Sequence, residues 1–380
     1  MISNWSFRGF ILLWILNNIK LRKKILFISL LLIVCLAIHF FSIDAERVEN
    51  TYSLTLYPHL AAWFRLIFGW IPFSIGDILW LLLVLFFLKQ FFHLLQFLFF
   101  KEKREVSKHR AYKFGYPFLL FVTIFYILFN IFWGINYNRQ GIASQLRMPL
   151  KEYSLVELKI MNSLLVKKIN STKQSLLRNK TLSPTTPQLF VMTENAYKNI
   201  AKQFPFLQYH RMSLKQSMWG WVGNYTGFVG YYNPATGEAQ VNTTVPKFTQ
   251  PFTACHEVAH QLGYAKEMEA NFVGYLVAAS SKDTIFQYSV YTDLFTYANR
   301  TLYFADSSSA FSYRRLLLSS VLDDFKERRK FSMDHTSFLE PIFRFAYGLF
   351  LKSNEQPEGI LSYDEVTGFI IAYYNKFGTI

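Results

Sequence analysis

Three apolar runs, all lying before Tyr137, set the first limit on what this chain can become. They are Ile25–Ile43, roughly Phe73–Phe97, and roughly Tyr116–Trp133. A helix needs about 20 apolar residues to cross a bilayer, and each run approaches or exceeds that length. The first is a poor fit for a cleaved leader: it is too long, lacks a small-residue cleavage site, and further apolar runs follow. Across the chain 52% of residues are hydrophobic and 40 are Phe, but the excess is concentrated before Tyr137. The reading is therefore a cytoplasmic segment (1–24), a membrane region (25–135) with spans at about 25–43, 73–97 and 116–133, and a globular domain (136–380).

The cations give the runs a direction. Lys20, Arg22, Lys23 and Lys24 precede the first run, and Lys101, Lys103, Arg104, Lys108, Arg110 and Lys113 fill the connection between the second and third. The connection between the first two carries only Arg47 and Arg65, beside Asp44, Glu46 and Glu49. Cytoplasmic loops are the Lys/Arg-rich ones, so the N-terminus is expected inside and everything after the third run outside. The net charge of +15 is then a matter of membrane orientation, and no nucleic-acid partner is expected. Two shorter stretches do not fit the spans. Phe7–Leu16 is expected at the interface, and Leu56–Trp70, which contains His59 and Arg65, as a surface-lying or re-entrant helix. The two cysteines, Cys35 and Cys255, fall in unlike surroundings, and no disulfide is expected.

After about Asn136 the chain reads as one globular unit, mostly helical with a small sheet. Ser154 and Glu157 form a capping box opening a helix to about Leu177. Residues 179–187 read as a loop, and Thr193 as the cap of a second helix ending before Pro205. Gly, aromatic and β-branched residues from Met218 to Asn242 point to short strands around the turn Asn233–Gly237, with Glu238–Asn242 the last. Helical patterns then cover roughly 251–262, 267–280, 284–303, 309–329, 334–352 and 363–376.

The chemistry concentrates in CHEVAHQLGYAKEMEAN, Cys255–Asn271. His256-Glu257-Val258-Ala259-His260 is HExxH. Residues i and i+4 share a helix face, so both imidazoles can reach one zinc ion, and Glu257 can take a proton from a water there. Pro251 suits the first turn of that helix and Gly263 its left-handed end. A catalytic zinc site takes three protein ligands and leaves one position open. Glu267 or Glu269 can supply the third. Glu267 is preferred because Glu267-Met268-Glu269-Ala270-Asn271 reads E-x-x-A-N, which resembles the gluzincin metallopeptidases. That likeness implies that Asn271 hydrogen-bonds a ligand histidine from behind. The six residues between His260 and Glu267 are fewer than gluzincins usually have, and Lys266 stands where a metzincin would place a third histidine. The strand Gly237–Asn242 is either an ordinary core strand or a sheet edge that pairs with an extended substrate. For stabilising an oxyanion, Tyr264, Tyr288, Tyr291, His210 and Arg300 are all conceivable and none is singled out.

Beyond the motif, WGINYNR (Trp133–Arg139), TGEAQVN (Thr236–Asn242), PFTACHEVAHQLGYAKEMEANF (Pro251–Phe272) and FLKSNEQPEGILSY (Phe350–Tyr363) resemble a family of bacterial membrane-anchored proteins. That family is described as a domain of unknown function and grouped with zincin-like peptidases. The resemblance implies a three-span, zincin-like protein of the bacterial cytoplasmic membrane and assigns no substrate. The expected activity is zinc-dependent hydrolysis of peptides or proteins outside the membrane. The competing expectation is a zinc-stabilised binding or sensor module that is not an enzyme. Four protein ligands, with Glu269 added, would favour the latter.

Overall fold

The computed structural model describes residues 4–99, 101–359 and 365–380, and leaves out the side chains of 4–20, 94, 97, 98 and 101–115. Lys20, the six cations from Lys101 to Lys113, the side chains of Phe7–Leu16 and the Ile360–Tyr363 end of the last motif therefore lie outside the described residues. The chain divides into two compact units. One comprises Met1–Asp44 and Val84–Ile131, the other Ala45–Leu83 and Phe132–Ile380.

The first unit is built from helix α1 (Asn4–Ser42), most of α3 (Ile75–Phe99) and α4 (Lys101–Phe132). Its apolar side chains point outward: Leu26 is 72% exposed, and Phe40 and Phe92 are similarly bare. Two segments, Leu21–Ser42 and Ile75–His93, are long and apolar enough to cross a membrane; the apolar stretch of α4, Tyr116–Phe132, is shorter. Cys35 lies in this unit and Cys255 in the other, and both are free thiols.

The second unit takes in more of the chain than residues 136–380. Residues 45–74 pack into it as a π-helix (Val48–Leu56) followed by α2 (Tyr57–Phe68). At 12 residues α2 is too short to span. It buries Tyr57, Ala61 and Arg65 against the globular part. The first turns of α3 belong here too. The carboxylate of Glu238, wholly buried on the sheet, accepts hydrogen bonds from Ile75 N (3.2 Å) and Gly76 N (2.6 Å) at the start of that helix. The helix N-terminus exposes unpaired amides and a positive dipole end, so a buried carboxylate is well matched to it.

The rest of the unit is helical around a three-stranded sheet, β1 (Leu214–Gln216), β2 (Gly230–Asn233) and β3 (Glu238–Val241), in the order β1-β3-β2. β3 pairs parallel with β1 and antiparallel with β2, and all four of its residues are buried. Gly237–Asn242 is therefore the central strand, and the edges are β1 and β2. Helices α5 (Leu155–Arg178), α6 (Thr186–Ile200) and α7 (Gly220–Thr226) surround β1 in the chain. After β3 come α8 (Gln250–Gln261), α9 (Glu267–Ala279) and α10 (Thr284–Ala305). The chain closes with α11 (Ser307–Arg315), α12 (Ser319–Asp334), α13 (Leu339–Lys352) and α14 (Val366–Phe377).

The capping box of α5 forms as expected, with Ser154 Oγ accepting from Glu157 N. The start of α6 does not. Its cap is Thr185, reciprocated by Gln188 with Pro187 in the first turn, while Thr193 lies mid-helix and donates its hydroxyl to Leu189 O. Residues 220–226 are helical where strand was expected; the turn ends on Gly227 in the left-handed region (φ 84°), which glycine adopts without strain. The pattern at 309–329 is two helices, broken at 316–318.

Candidate metal centre

Helix α8 is buried along its whole length. On one side it packs against α9, where Gly274 allows the close approach: a Cβ there would lie 3.2 Å from His256 N. On another it packs against β2 and β3. Its C-terminal end is held by groups from far along the chain. Gln261 O accepts from Tyr57 Oη and an Arg65 guanidinium nitrogen, both at 3.2 Å, so a cation sits at the negative end of the helix. Gly263, at φ 89°, then turns the chain so that α9 starts at Glu267, facing back toward α8.

That turn brings His256, His260 and Glu267 together. One ligand atom from each lies within 4.8 Å of the others, and all three residues are buried. Glu267 Oε2 is 3.2 Å from His256 Nε2 and 3.6 Å from His260 Nε2, without a hydrogen bond of normal geometry. The supporting contacts aim these atoms. His260 Nδ1 lies 2.8 Å from Tyr264 O, so its N–H donates to that carbonyl and Nε2 faces the cluster. Glu267 Oε1 accepts from Tyr347 Oη at 2.6 Å, and Gln356 Oε1 accepts from Glu267 N at 2.9 Å. Two imidazole nitrogens and one carboxylate oxygen, buried and converging, could hold a metal ion.

Burial raises Glu267, but His260 and His256 outweigh it and hold the carboxyl well below the usual range. Burial alone would lower His260; the Glu267 carboxylate reverses this and pushes it up to about 9. Glu257 stands outside the cluster of three. Burial pushes it up to about 7, with the two histidines restraining the rise. Its Oε2 is buried with no hydrogen-bond partner, and its Oε1 lies where a Cβ on Gly230 would be only 2.4 Å away. Glycine at the start of edge strand β2 is what makes room for this carboxylate.

Glu269 points elsewhere. It packs over Gly141 and lines a separate cavity with Lys266 and Glu365. Asn271 is buried, with its Nδ2 lacking a hydrogen-bond partner, and for His260 the orienting role belongs to Tyr264 O. Three of the conceivable oxyanion donors are engaged in packing: Tyr264 Oη donates to Gln145, Tyr288 Oη to Asp324, and Tyr291 lies in the core near Ile380 O.

Several neighbours of the cluster were not apparent from the motif. Trp133 stands edge-on to His260, with ring centroids 6.0 Å apart, and Tyr137 is raised by burial and by the Glu267 carboxylate. Arg139 makes a bidentate pair with Glu49 (2.7 and 2.9 Å) and donates to Gly263 O at 3.1 Å, beside the residue whose carbonyl orients His260. The stretch Trp133–Arg139 is thus a wall of the site and a brace for its turn. The only hint had been that WGINYNR is a motif of its own.

Fold and site together define a class: a mainly helical protein with two helices able to cross a membrane and a buried two-histidine, one-glutamate cluster. Residues 52–371 match the family described as "Protein of unknown function (DUF3810)", and the chain belongs to that family. No curated protein and no solved structure matches it.

Proposed function

We propose that the chain is a membrane-anchored zinc peptidase. His256, His260 and Glu267 would bind the metal and Glu257 would act as the base. The observation that carries this reading is the convergence of the three donors with a fourth carboxylate, Glu257, held apart from them and poised near neutrality. A general base works best with a pKa near the working pH. When bound, zinc supplies a Lewis acid for a peptide carbonyl and acidifies a water molecule. Glu257 takes the proton from the attacking water and later delivers it to the leaving amine. Glu269 faces away, so among the described residues the donor set stops at three, which favours an open catalytic position over a closed structural site.

We read the membrane part as three spans, α1, α3 and the apolar end of α4, in the bacterial cytoplasmic membrane with the N-terminus inside. The grouping of residues 45–83 with 132–380 supports this, because two crossings between them, by α3 and by the end of α4, return the chain to the side on which residues 45–74 lie.

The test uses the full chain in detergent. Wild type is expected to hold near one zinc per chain, lost in His256→Ala and Glu267→Ala and kept in Glu269→Ala. Glu257→Gln should keep zinc and abolish cleavage of a quenched-fluorescent peptide library. Unchanged turnover in Glu257→Gln would sink the mechanism, and full zinc in Glu267→Ala would sink the ligand set.

A pH dependence follows from His260. Its value is about 9 in the fold against about 6.5 in an unfolded chain, so its ion pair with Glu267 contributes fully below pH 6.5. That contribution disappears as pH rises through 9. Zinc needs the same nitrogen deprotonated, so its affinity should rise over the window in which the metal-free fold weakens. Melting curves of metal-free protein and zinc titrations from pH 6 to 9 should move in opposite directions.

A further inference from the structure

Helix α13 carries Tyr347 on its inner side, bonded to Glu267. Its outer side is unlike that of a helix facing water. Phe338 in the preceding turn, then Ile342, Phe345 and Leu349, recur at i, i+4, i+7 and i+11 and form one stripe. All four are exposed, Phe338 at 80% and Phe345 at 70%. Arg344 and Lys352 flank the stripe. In water such a stripe forfeits about 25 cal/mol for each Å² of apolar surface left wet.

The same inversion appears on α2. Its Arg65 turns inward to the protein, while Trp63, Leu66 and Ile67 face out at i, i+3 and i+4, and Trp70, in the turn just past its end, is exposed as well. Both stripes connect through this unit to the first turns of the span-length helix α3. The chain runs directly from α2 into α3. From Asp77 in α3, contacts lead to α7 through Met218 N, which donates to its carboxylate at 2.7 Å, and Trp219 Nε1, which donates to its carbonyl. From α7, Ser337 Oγ donates to Tyr225 O, and Phe228 packs on Tyr347 of α13. Trp221 on α7 is itself 60% exposed.

We infer that the outer stripes of α13 and α2 are seated in the headgroup–acyl boundary of the bilayer that α3 enters. The partner is a lipid surface. Continuity with a membrane-crossing helix and outward-facing tryptophans identify it, because Trp concentrates at that depth and Arg and Lys beside such a stripe extend to the headgroups. The metal cluster would then lie one helix width, about 10 Å, from lipid. Substrates reaching it would be polypeptide segments at the membrane surface. That last statement rests on the peptidase reading; the seating does not.

The test labels the full chain with an environment-sensitive nitrobenzoxadiazole probe. Cys35→Ser removes the half-exposed thiol, and Cys255 is buried with its thiol pushed up by burial. Single cysteines are introduced as Phe345→Cys, Ile342→Cys and Ile67→Cys, with Leu182→Cys, 86% exposed, as the water-facing control. In phosphatidylcholine–phosphatidylglycerol vesicles, brominated acyl chains are expected to quench the probe at 345, 342 and 67 at least threefold more than at 182. Quenching at 345 and 342 no greater than at 182 would overturn the inference. So would a signal at 345 that ignores brominated lipid but changes with protein-to-lipid ratio, which would mark contact between copies. Repeating the measurement in His256→Ala separates the seating from the zinc site: lipid quenching should persist where zinc is lost.

Discussion

A fragment beginning at residue 136 is expected to show no cooperative unfolding transition, although it contains every residue of the metal cluster. Cutting there removes the Glu49 partner of Arg139, which is 3% exposed, and the amides of Ile75 and Gly76 that satisfy Glu238. It also removes the carbonyls of Gly69 and Ile71 that accept from the buried ammonium of Lys215. Taking one partner from a buried ion pair costs about 3–5 kcal/mol, because the other charge is left without compensation. The Glu238 carboxylate and the Lys215 ammonium lose hydrogen-bond partners rather than counter-ions, at about 1–3 kcal/mol or more each, and the three losses together rival the whole stability of an ordinary domain, about 5–15 kcal/mol. Thermal unfolding of the full chain in detergent, followed beside the fragment, checks this. A sharp transition in the fragment would show that residues 45–83 only lean on the domain.

The second large effect is expected at Glu49 and Arg139. Either Glu49→Leu or Arg139→Met alone should cost about 3–5 kcal/mol. Replacing both, as Glu49→Leu with Arg139→Met, should cost clearly less than the two single changes summed, since no buried charge is stranded. The pair also reaches the cluster. Arg139 holds Gly263 O, one residue before the carbonyl that orients His260, so its loss should weaken zinc about 10–100-fold in protein that still folds. Melting curves and zinc titrations on the two single variants and the double test both parts. Additive costs, or zinc affinity unmoved in Arg139→Met, would count against the brace.

What the sequence revealed of this architecture was local. HExxH, its helix and the Gly263 stop depend on residues within a turn or two of each other, and α8 and α9 lie close to where the spacing puts them. The start of α6 was misplaced because Thr193 and Thr185 are both competent caps, and what decides between them is Gln188 reaching back. α7 was missed because its glycines and aromatics read as strand. The partners of the site were out of reach for a different reason. Tyr347 meets Glu267 across 80 residues and Glu49 meets Arg139 across 90, and no periodicity records such pairings. Glu49 sits in a nine-residue π-helix, an arrangement rarely longer than one turn, and its sequence VENTYSLTL gives no sign of it.

The contact of Glu238 with the start of α3 has a consequence for how the chain is made. The two groups are separated by 163 residues, so at about 5–20 residues per second the amides of Ile75 and Gly76 emerge roughly 8–30 s before their carboxylate exists. During that interval Arg65 and Asp77 likewise have no Gln261 or Met218 to meet. The early segment must therefore wait, uncovered, for the later one to arrive. A pause or a holding factor during synthesis would act on residues 45–83, long before the first histidine of the site has been added.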